Sequence, residues 1–283
     1  MLWRMTSPVS IEVSGVSKSF RVPTQGARTL RERATHPILS RKHREFEVLK
    51  EISFEIHRGE FFGIVGRNGS GKSTLLKLVS SIYKADAGTI RVAGRLAPFI
   101  ELGVGFNAEL SAWDNVVLNG VMMGLTPEKS RQRFDEIIAF AELEDFTELK
   151  LRNYSSGMRV RLAFAVMAQV EADVLLVDEV LAVGDAAFQT KCQEEFARMQ
   201  AEGRTVVLVT HSMGAVRRLC DRALLLEDGK VAAIGDPDEV ATGYEEVNEH
   251  RRGRREPRAR QRQRRAAIAA AAEAGAGRGA VEL

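Results

Sequence analysis

The stretch Gly66-Arg67-Asn68-Gly69-Ser70-Gly71-Lys72-Ser73-Thr74 decides how the rest of this chain is read. Its spacing, G-x-x-x-x-G-K-[ST], is that of a loop that cradles phosphates. It follows the apolar run Phe61–Val65 and precedes Leu75, Leu76, Leu78 and Val79, which is the strand–loop–helix setting the motif requires. The residue types follow from the chemistry. Glycines let the loop curl so that successive backbone N–H groups converge on phosphate oxygens. A helix opening near Lys72 adds the positive end of its dipole. The Lys72 ammonium is placed to reach the β- and γ-phosphates, and the Ser73 hydroxyl to ligate Mg2+. The stretch therefore predicts binding of a nucleoside triphosphate by Gly66 through Thr74.

About a hundred residues downstream, Val174-Leu175-Leu176-Val177-Asp178-Glu179 reads as an apolar strand ending in two carboxylates. Beside bound phosphates, Asp178 would hold Mg2+, directly or through water, and Glu179 would polarise an attacking water as general base. His211 ends the next apolar strand, Thr205–Thr210. A parallel neighbour to the Asp178 strand would carry His211 to the same carboxyl edge of the sheet, where ligands bind in open α/β folds, within reach of a γ-phosphate. Tyr154-Ser155-Ser156-Gly157-Met158 stands just before a helical pattern over 159–169. Either serine could cap that helix, and Gly157 allows close approach of a phosphate.

The rest of the chain supports an α/β reading. Ile11, Val13 and Val16, then Ile52, Phe54 and Ile56, alternate as strands do, and Gly88–Gly94 is a short strand between turns. Between the first two strands, residues 21–45 form a basic insertion with seven Arg or Lys against two Glu. From about 106 to 170 the pattern is helical, with starts at Ser111 and at Thr126-Pro127 and a core stripe of Phe134, Ile137, Ile138 and Ala141. Strand, helix and strand over 174–210, with Gly203 closing the helix, is a parallel βαβ unit. Asp228-Gly229 turns a hairpin, and Asp236 opens a last helix to about Glu249.

Composition narrows the setting. No run among the 283 residues approaches the roughly 18 apolar positions of a membrane helix. The first residues lack the apolar core of a signal peptide, so the expected place is the cytosolic side, with membrane contact through a partner. Two cysteines 28 positions apart, Cys192 and Cys220, fit neither a zinc site nor a disulfide. Net charge is +3, but residues 250–283 carry ten Arg and three Glu, leaving the body mildly acidic. Residues 251–265 hold nine Arg, and Ala266–Ala272 is alanine with one Ile. Such a tail is either solvated and at most marginally helical, or attracted to anionic lipid, an acidic partner or nucleic acid.

Taken in order, the phosphate loop, the Tyr154–Met158 segment, Asp178-Glu179 and His211 resemble the ATP-binding-cassette family of ATPases over about residues 9–245. The resemblance implies an α/β P-loop NTPase fold of the ABC ATPase type: a RecA-like core with an antiparallel β-subdomain and a helical subdomain. The domain would span 1–249, followed by the tail over 250–283. Tyr154–Met158 resembles the family signature Leu-Ser-Gly-Gly-Gln, matching at Ser155 and Gly157 and departing at Tyr154, Ser156 and Met158. In the family that segment binds the γ-phosphate held by the other protomer's loop, which implies a head-to-tail homodimer with two ATP.

Three runs are similar to one branch, the ATPase subunits of exporters of lipid-linked O-antigen, capsule or teichoic acid. They are Tyr154–Ala165, Asp178–Asp185 with Ala182–Asp185 in the D-loop position, and Glu101–Leu110. This resemblance implies separate integral-membrane permease subunits, a polysaccharide substrate and a place on the cytoplasmic face of the inner membrane. It also puts the basic insertion near the membrane partner and Glu101–Leu110 at the channel entrance. The family's loop glutamine has no direct match, and Glu101 is the candidate in its place, beside Ser73 and Asp178 at the metal. Phe20 and Phe46 flank the insertion, and either could stack on adenine. No carbohydrate-binding β-domain follows residue 249 in this sequence. Alternatives are another kind of ABC transporter or a soluble ABC ATPase that uses the Arg tail on nucleic acid; single-cassette organisation makes nucleic acid the less expected partner.

Overall fold

The computed structural model describes residues 7–23, 43–99, 105–178 and 185–248. β1 (Val9–Pro23) and β2 (His43–His57) are antiparallel, with Val13 opposite Phe54 and Val16 opposite Ile52. Their period-two alternation buries Ile11, Val13, Val16, Ile52, Phe54 and Ile56 on one face. Both strands run into the stretch read as an insertion, because Arg21 pairs with Glu45 and Val22 with Arg44. Consecutive pairs of such a ladder alternate between hydrogen-bonded and non-hydrogen-bonded. Residues 24–42, the bulk of that basic stretch, lie outside the described residues.

β3 (Phe61–Val65) is buried at every position and delivers the chain to the phosphate loop and α1 (Lys72–Val79). β4 (Ala87–Val92) then returns to the first sheet and pairs with the free side of β1, giving the order β2-β1-β4. β5 (Leu96–Phe99) opens the second sheet's edge. A helical region follows: α2 (Ala112–Met122), α3 (Pro127–Gln132), α4 (Phe134–Ala141) and α5 (Ser156–Ala168). Ser111 and Thr126 cap α2 and α3 by accepting from Asp114 N and Lys129 N, as their sequence positions predicted. The stripe Phe134, Ile137, Ile138 and Ala141 is buried against Ala112, Val116, Leu162 and Val166.

The chain returns through β6 (Val174–Asp178), α6 (Ala186–Ala201), β7 (Thr205–Thr210), α7 (Met213–Leu219), β8 (Arg222–Glu227) and β9 (Lys230–Gly235). The second sheet runs β5-β6-β7-β3-β8-β9, parallel except for the β8–β9 hairpin. Strand order crosses over between β7, β3 and β8, which is a topological switch beside the loop after β3. Two elements were not expected from the sequence. β5 contains Pro98, which argues against a strand except at a sheet edge, and β5 is the edge strand. α7 is seven residues long, too short for its pattern to stand out, and rests on the Ser212 cap.

α5 joins two cores. Its Leu162, Ala165 and Val166 pack in the helical region, while Ala163, Phe164, Met167 and Ala168 pack under the sheet with Phe188, Cys192 and Phe196. Cys192 is thus a core residue, as its spacing from Phe188 and Phe196 predicted. Burial pushes the thiols of Cys192 and Cys220 up to about 12. At pH 8 only about one thiol in ten thousand would be thiolate. Both cysteines should therefore resist iodoacetamide at pH 8 in the native protein and react within minutes once it is unfolded; rapid native labelling would contradict this burial.

Compact packing divides the chain into Met1–Val240, which holds both sheets and the helical region, and Ala241–Leu283. The backbone is helical over 237–248, and Asp236 Oδ1 accepts from Asp238 N at 2.8 Å and Glu239 N at 3.4 Å, the cap its sequence predicted. The tail over 250–283 lies outside the described residues. Among the described residues no helix is long and apolar enough to cross a membrane.

Candidate functional site

The loop after β3 is held from three sides. A Cβ at Gly66 would stand 2.4 Å from Leu226 O and 2.6 Å from Ser70 Oγ, so only glycine lets the loop pass β8. Gly71, at φ +111°, sits against Leu49 of β2 and starts α1, where Leu75 N donates to Gly71 O at 2.8 Å. Lys72 is 7% exposed, and its Nζ donates to Gly66 O at 2.7 Å and Arg67 O at 3.1 Å. The ammonium is thereby fixed inside the ring of the loop. Within the helix, the first N–H groups of α1 have no carbonyl four residues back and face the same ring. Ser70 Oγ is buried with no hydrogen-bond partner among the described residues.

Sheet register brings Asp178 and His211 to the same edge as this ring. Ile64 is opposite Val209, Val209 is opposite Asp178, and Val65 is opposite Thr210. Asp178 is therefore level with Ile64 two strands away, at about 10 Å by the usual strand spacing. His211 follows Thr210, exposed, between two fixed neighbours: Thr210 is 4% exposed, and its Oγ1 accepts from Ser212 N at 3.0 Å. The phosphate loop, Asp178 and His211 thus share one carboxyl edge. Glu179 and Glu101 lie outside the described residues, as do Ala182 to Gly184 of the D-loop position.

A nucleotide fits what is present. The loop offers a glycine cradle, convergent N–H groups and a buried ammonium, which are the chemistry of a polyphosphate site. Ser73 is exposed at the second position of α1 and Asp178 half-buried at the strand end. One hydroxyl and one carboxylate suit Mg2+, which keeps several waters and takes phosphate oxygens besides.

Ser155 is the residue that caps α5, its Oγ accepting from Met158 N at 3.2 Å; Ser156 and Gly157 form the exposed first turn. Tyr154, a departure from the family signature, is an anchor. It is 3% exposed, and its hydroxyl donates to Phe146 O at 2.8 Å, with burial raising the phenol's pKa. Phe20 and Phe46 are cross-strand partners on the first sheet. Phe20 packs edge-on to Tyr83 at 5.6 Å, whereas Phe46 is 57% exposed.

Two features were not read from the sequence. Gly229, at the tip of the β8–β9 hairpin, donates its N–H to Ser70 O at 3.2 Å and accepts from Lys50 N at 2.8 Å. The hairpin tip thereby ties the phosphate loop to β2. Arg161 of α5 pairs with Glu142 at 2.7 Å and with Asp185, which caps α6 through Phe188 N at 2.9 Å. The Phe188 N–H, and after it Arg161, holds the Asp185 carboxyl below the usual range. Nothing in the sequence marks either contact, because both join residues far apart in the chain.

Comparison with known proteins agrees with this geometry. The family profile described as ABC transporter matches residues 49–182. The chain is 42% identical over 243 residues to the ABC transporter protein AbcA of Aeromonas salmonicida, covering 86% of this chain and 78% of that protein. It is 40% identical over 206 residues to the O-antigen export system ATP-binding protein RfbB of Klebsiella pneumoniae, covering 73% and 84%. Among solved structures, a dimeric ATP-binding cassette in a post-hydrolysis state with ADP and Pi superimposes with a TM-score of 0.65 over 80% of this chain and 98% of that one, at 23% identity. With phosphate loop, strand-end carboxylate and histidine on one sheet edge, and relatives matched over most of their length, the chain belongs to the ABC transporter family as an ATPase subunit.

Proposed function

We propose that this chain is the ATP-hydrolysing motor subunit of an exporter that moves a lipid-linked polysaccharide across the inner membrane. It would act as a homodimer beneath separate integral-membrane permease subunits. The observation that carries the reading is the shared edge of the phosphate loop, Asp178 and His211, in a chain whose relatives include an O-antigen export ATP-binding protein. The dimeric cassette of matching fold supports the homodimer.

The residues divide the work. Backbone N–H groups of Gly66–Thr74 and the Lys72 ammonium bind the β- and γ-phosphates. Ser73 and Asp178 hold Mg2+, which when bound offsets phosphate charge; Glu101 is the third candidate contact. Glu179 takes a proton from the attacking water. His211 orients the γ-phosphate, and Ser155, Ser156 and Gly157 contact the nucleotide held by the partner protomer. The exposed ring of Phe46 is the better adenine platform, since Phe20 already packs on Tyr83. The domain spans the cassette through residue 249, with the helical subdomain over about 106–170.

A membrane partner is supported by α2, which turns Trp113, Leu118, Val121 and Met122 outward, each at least 39% exposed. Co-expression with a polytopic membrane protein encoded beside glycosyltransferases tests the reading. We expect the chain to sediment with membranes only when that permease is present, and Met122→Lys to weaken the association while leaving basal ATPase intact. Partition with ribosomes or DNA, lost about a thousandfold between 50 and 200 mM salt, would instead favour a nucleic-acid ATPase.

A further inference from the structure

The segment after Phe106 is stitched to the segment before Ser155. Leu151 N donates to Leu110 O at 3.0 Å, Arg152 N to Ala108 O at 2.9 Å, and Ser111 bridges Lys150 in antiparallel sense. Across this short ladder, Glu109 Oε2 lies 3.2 Å from Arg152 Nη1 and 3.6 Å from Lys150 Nζ. Beneath it is Asn115 of α2, fully buried. Its Oδ1 accepts from Asn107 N at 2.7 Å, and its Nδ2 donates to Asn107 O at 3.0 Å and Ser111 O at 2.8 Å. An amide matched at both ends to one residue's backbone acts as a strand partner would.

The connection from this ladder to Ser155 has no slack. Residues Leu151–Asn153 form a 3-10 turn, in which Asn153 N donates to Lys150 O and Tyr154 N to Leu151 O. Tyr154 is then pinned in the core, and Ser155 begins α5. The P-loop is braced by other elements, β2 and the β8–β9 hairpin. A displacement of residues 107–111 is therefore passed along α5's approach and not to the phosphate loop of the same protomer.

We propose that residues 107–111 and 150–152 form a clasp that positions Ser155, Ser156 and Gly157, with Glu109 and Asn115 as its positioning residues. The clasp makes residues 107–111 and the end of α5 that faces the partner's nucleotide move as one piece. The proposal rests on the reading of Ser155–Gly157 as contacts to that nucleotide.

Steady-state ATPase of the full-length protein tests it. Glu109 is exposed, so each ion pair is weak by itself, but reversing its charge sets it against two cations. Glu109→Lys is expected to lower kcat about three- to tenfold with KM for ATP within about twofold. The triple swap Glu109→Lys, Lys150→Glu, Arg152→Glu mirrors the original charges and should restore kcat to within about twofold. Asn115→Asp, which exchanges the amide donor for an acceptor facing two carbonyls, should lower kcat about tenfold or more. Glu109→Lys stays on the surface and remains informative if the buried variant unfolds. Normal kcat in Glu109→Lys, a triple swap no faster than the single variant, or a loss confined to KM would overturn the clasp. Gly157→Asp separates the two ideas. If it abolishes turnover while Glu109→Lys is normal, the clasp alone is wrong. If Gly157→Asp turns over normally, the reading of Ser155–Gly157 fails and takes the clasp with it.

Discussion

Lys72→Ala is expected to lower kcat/KM for ATP by about a hundred- to thousandfold, the scale of removing a preorganised charged donor from a transferring phosphoryl group. The geometry says why the loss should be large. Lys72 is 7% exposed and its ammonium is already fixed on Gly66 O and Arg67 O, so little ordering is left when phosphate arrives. A charge held there interacts with phosphate far more strongly than one in water. Lys72→Arg should not rescue, because the planar guanidinium spreads its charge over a rigid fork and cannot replace the compact point charge of the ammonium. Titration with a fluorescent ATP analogue, together with turnover, checks both variants. Retained affinity in Lys72→Ala would mean that the loop N–H groups alone hold the phosphates, and the ammonium's assigned role would be wrong.

What the sequence could show was whatever local spacing encodes. The loop Gly66–Thr74 declared itself because glycine, lysine and serine at fixed intervals have one common use. The α2, α3 and final-helix starts were legible because Ser111, Thr126 and Asp236 cap by contacts two or three residues away. The β8–β9 hairpin was legible because Asp228 and Gly229 both take positive φ, as a two-residue turn demands. Placing His211 at the phosphate edge needed only that two apolar strands be parallel neighbours, and β6 and β7 are.

The rest was hidden because it is long-range. β5 looked unlike a strand until its edge position excused Pro98. Tyr154 looked like a departure in a binding motif, and its burial against Phe146 shows a residue spent on anchoring that motif. Gly229 looked like a turn residue and proves also to brace Ser70 and Lys50. The clasp between 107–111 and 150–152 joins segments some forty residues apart, and Asn115 gives no hint of it in a list of amino acids. For Tyr154 and Gly229 the local rule gave the element, and tertiary contact gave the residue its second task.

Glu179→Gln is expected to leave ATP binding within about twofold of the parent while kcat falls about a hundredfold or more, the scale of losing a general base. The argument begins one residue earlier. Asp178 is the last residue of β6, level with Val209 and Ile64 on the edge where the phosphate loop begins, and Glu179 is its neighbour in the sequence. A carboxylate there can accept a proton from water; the amide of glutamine keeps size and hydrogen-bonding capacity but cannot. Binding depends on the loop, which the substitution does not touch. If ATP binding closes two protomers and hydrolysis reopens them, the variant holds the population in the closed state for as long as ATP is present. Size-exclusion chromatography with ATP should then show a dimer for Glu179→Gln, with the parent protein returning to monomer as ATP is consumed. Adding Lys72→Ala to the same chain should abolish that dimer, since no nucleotide would be held to bridge the protomers. A Glu179→Gln protein that hydrolyses ATP at the parent rate would sink its assignment as the base, and one that dimerises equally without ATP would break the link between nucleotide and closure.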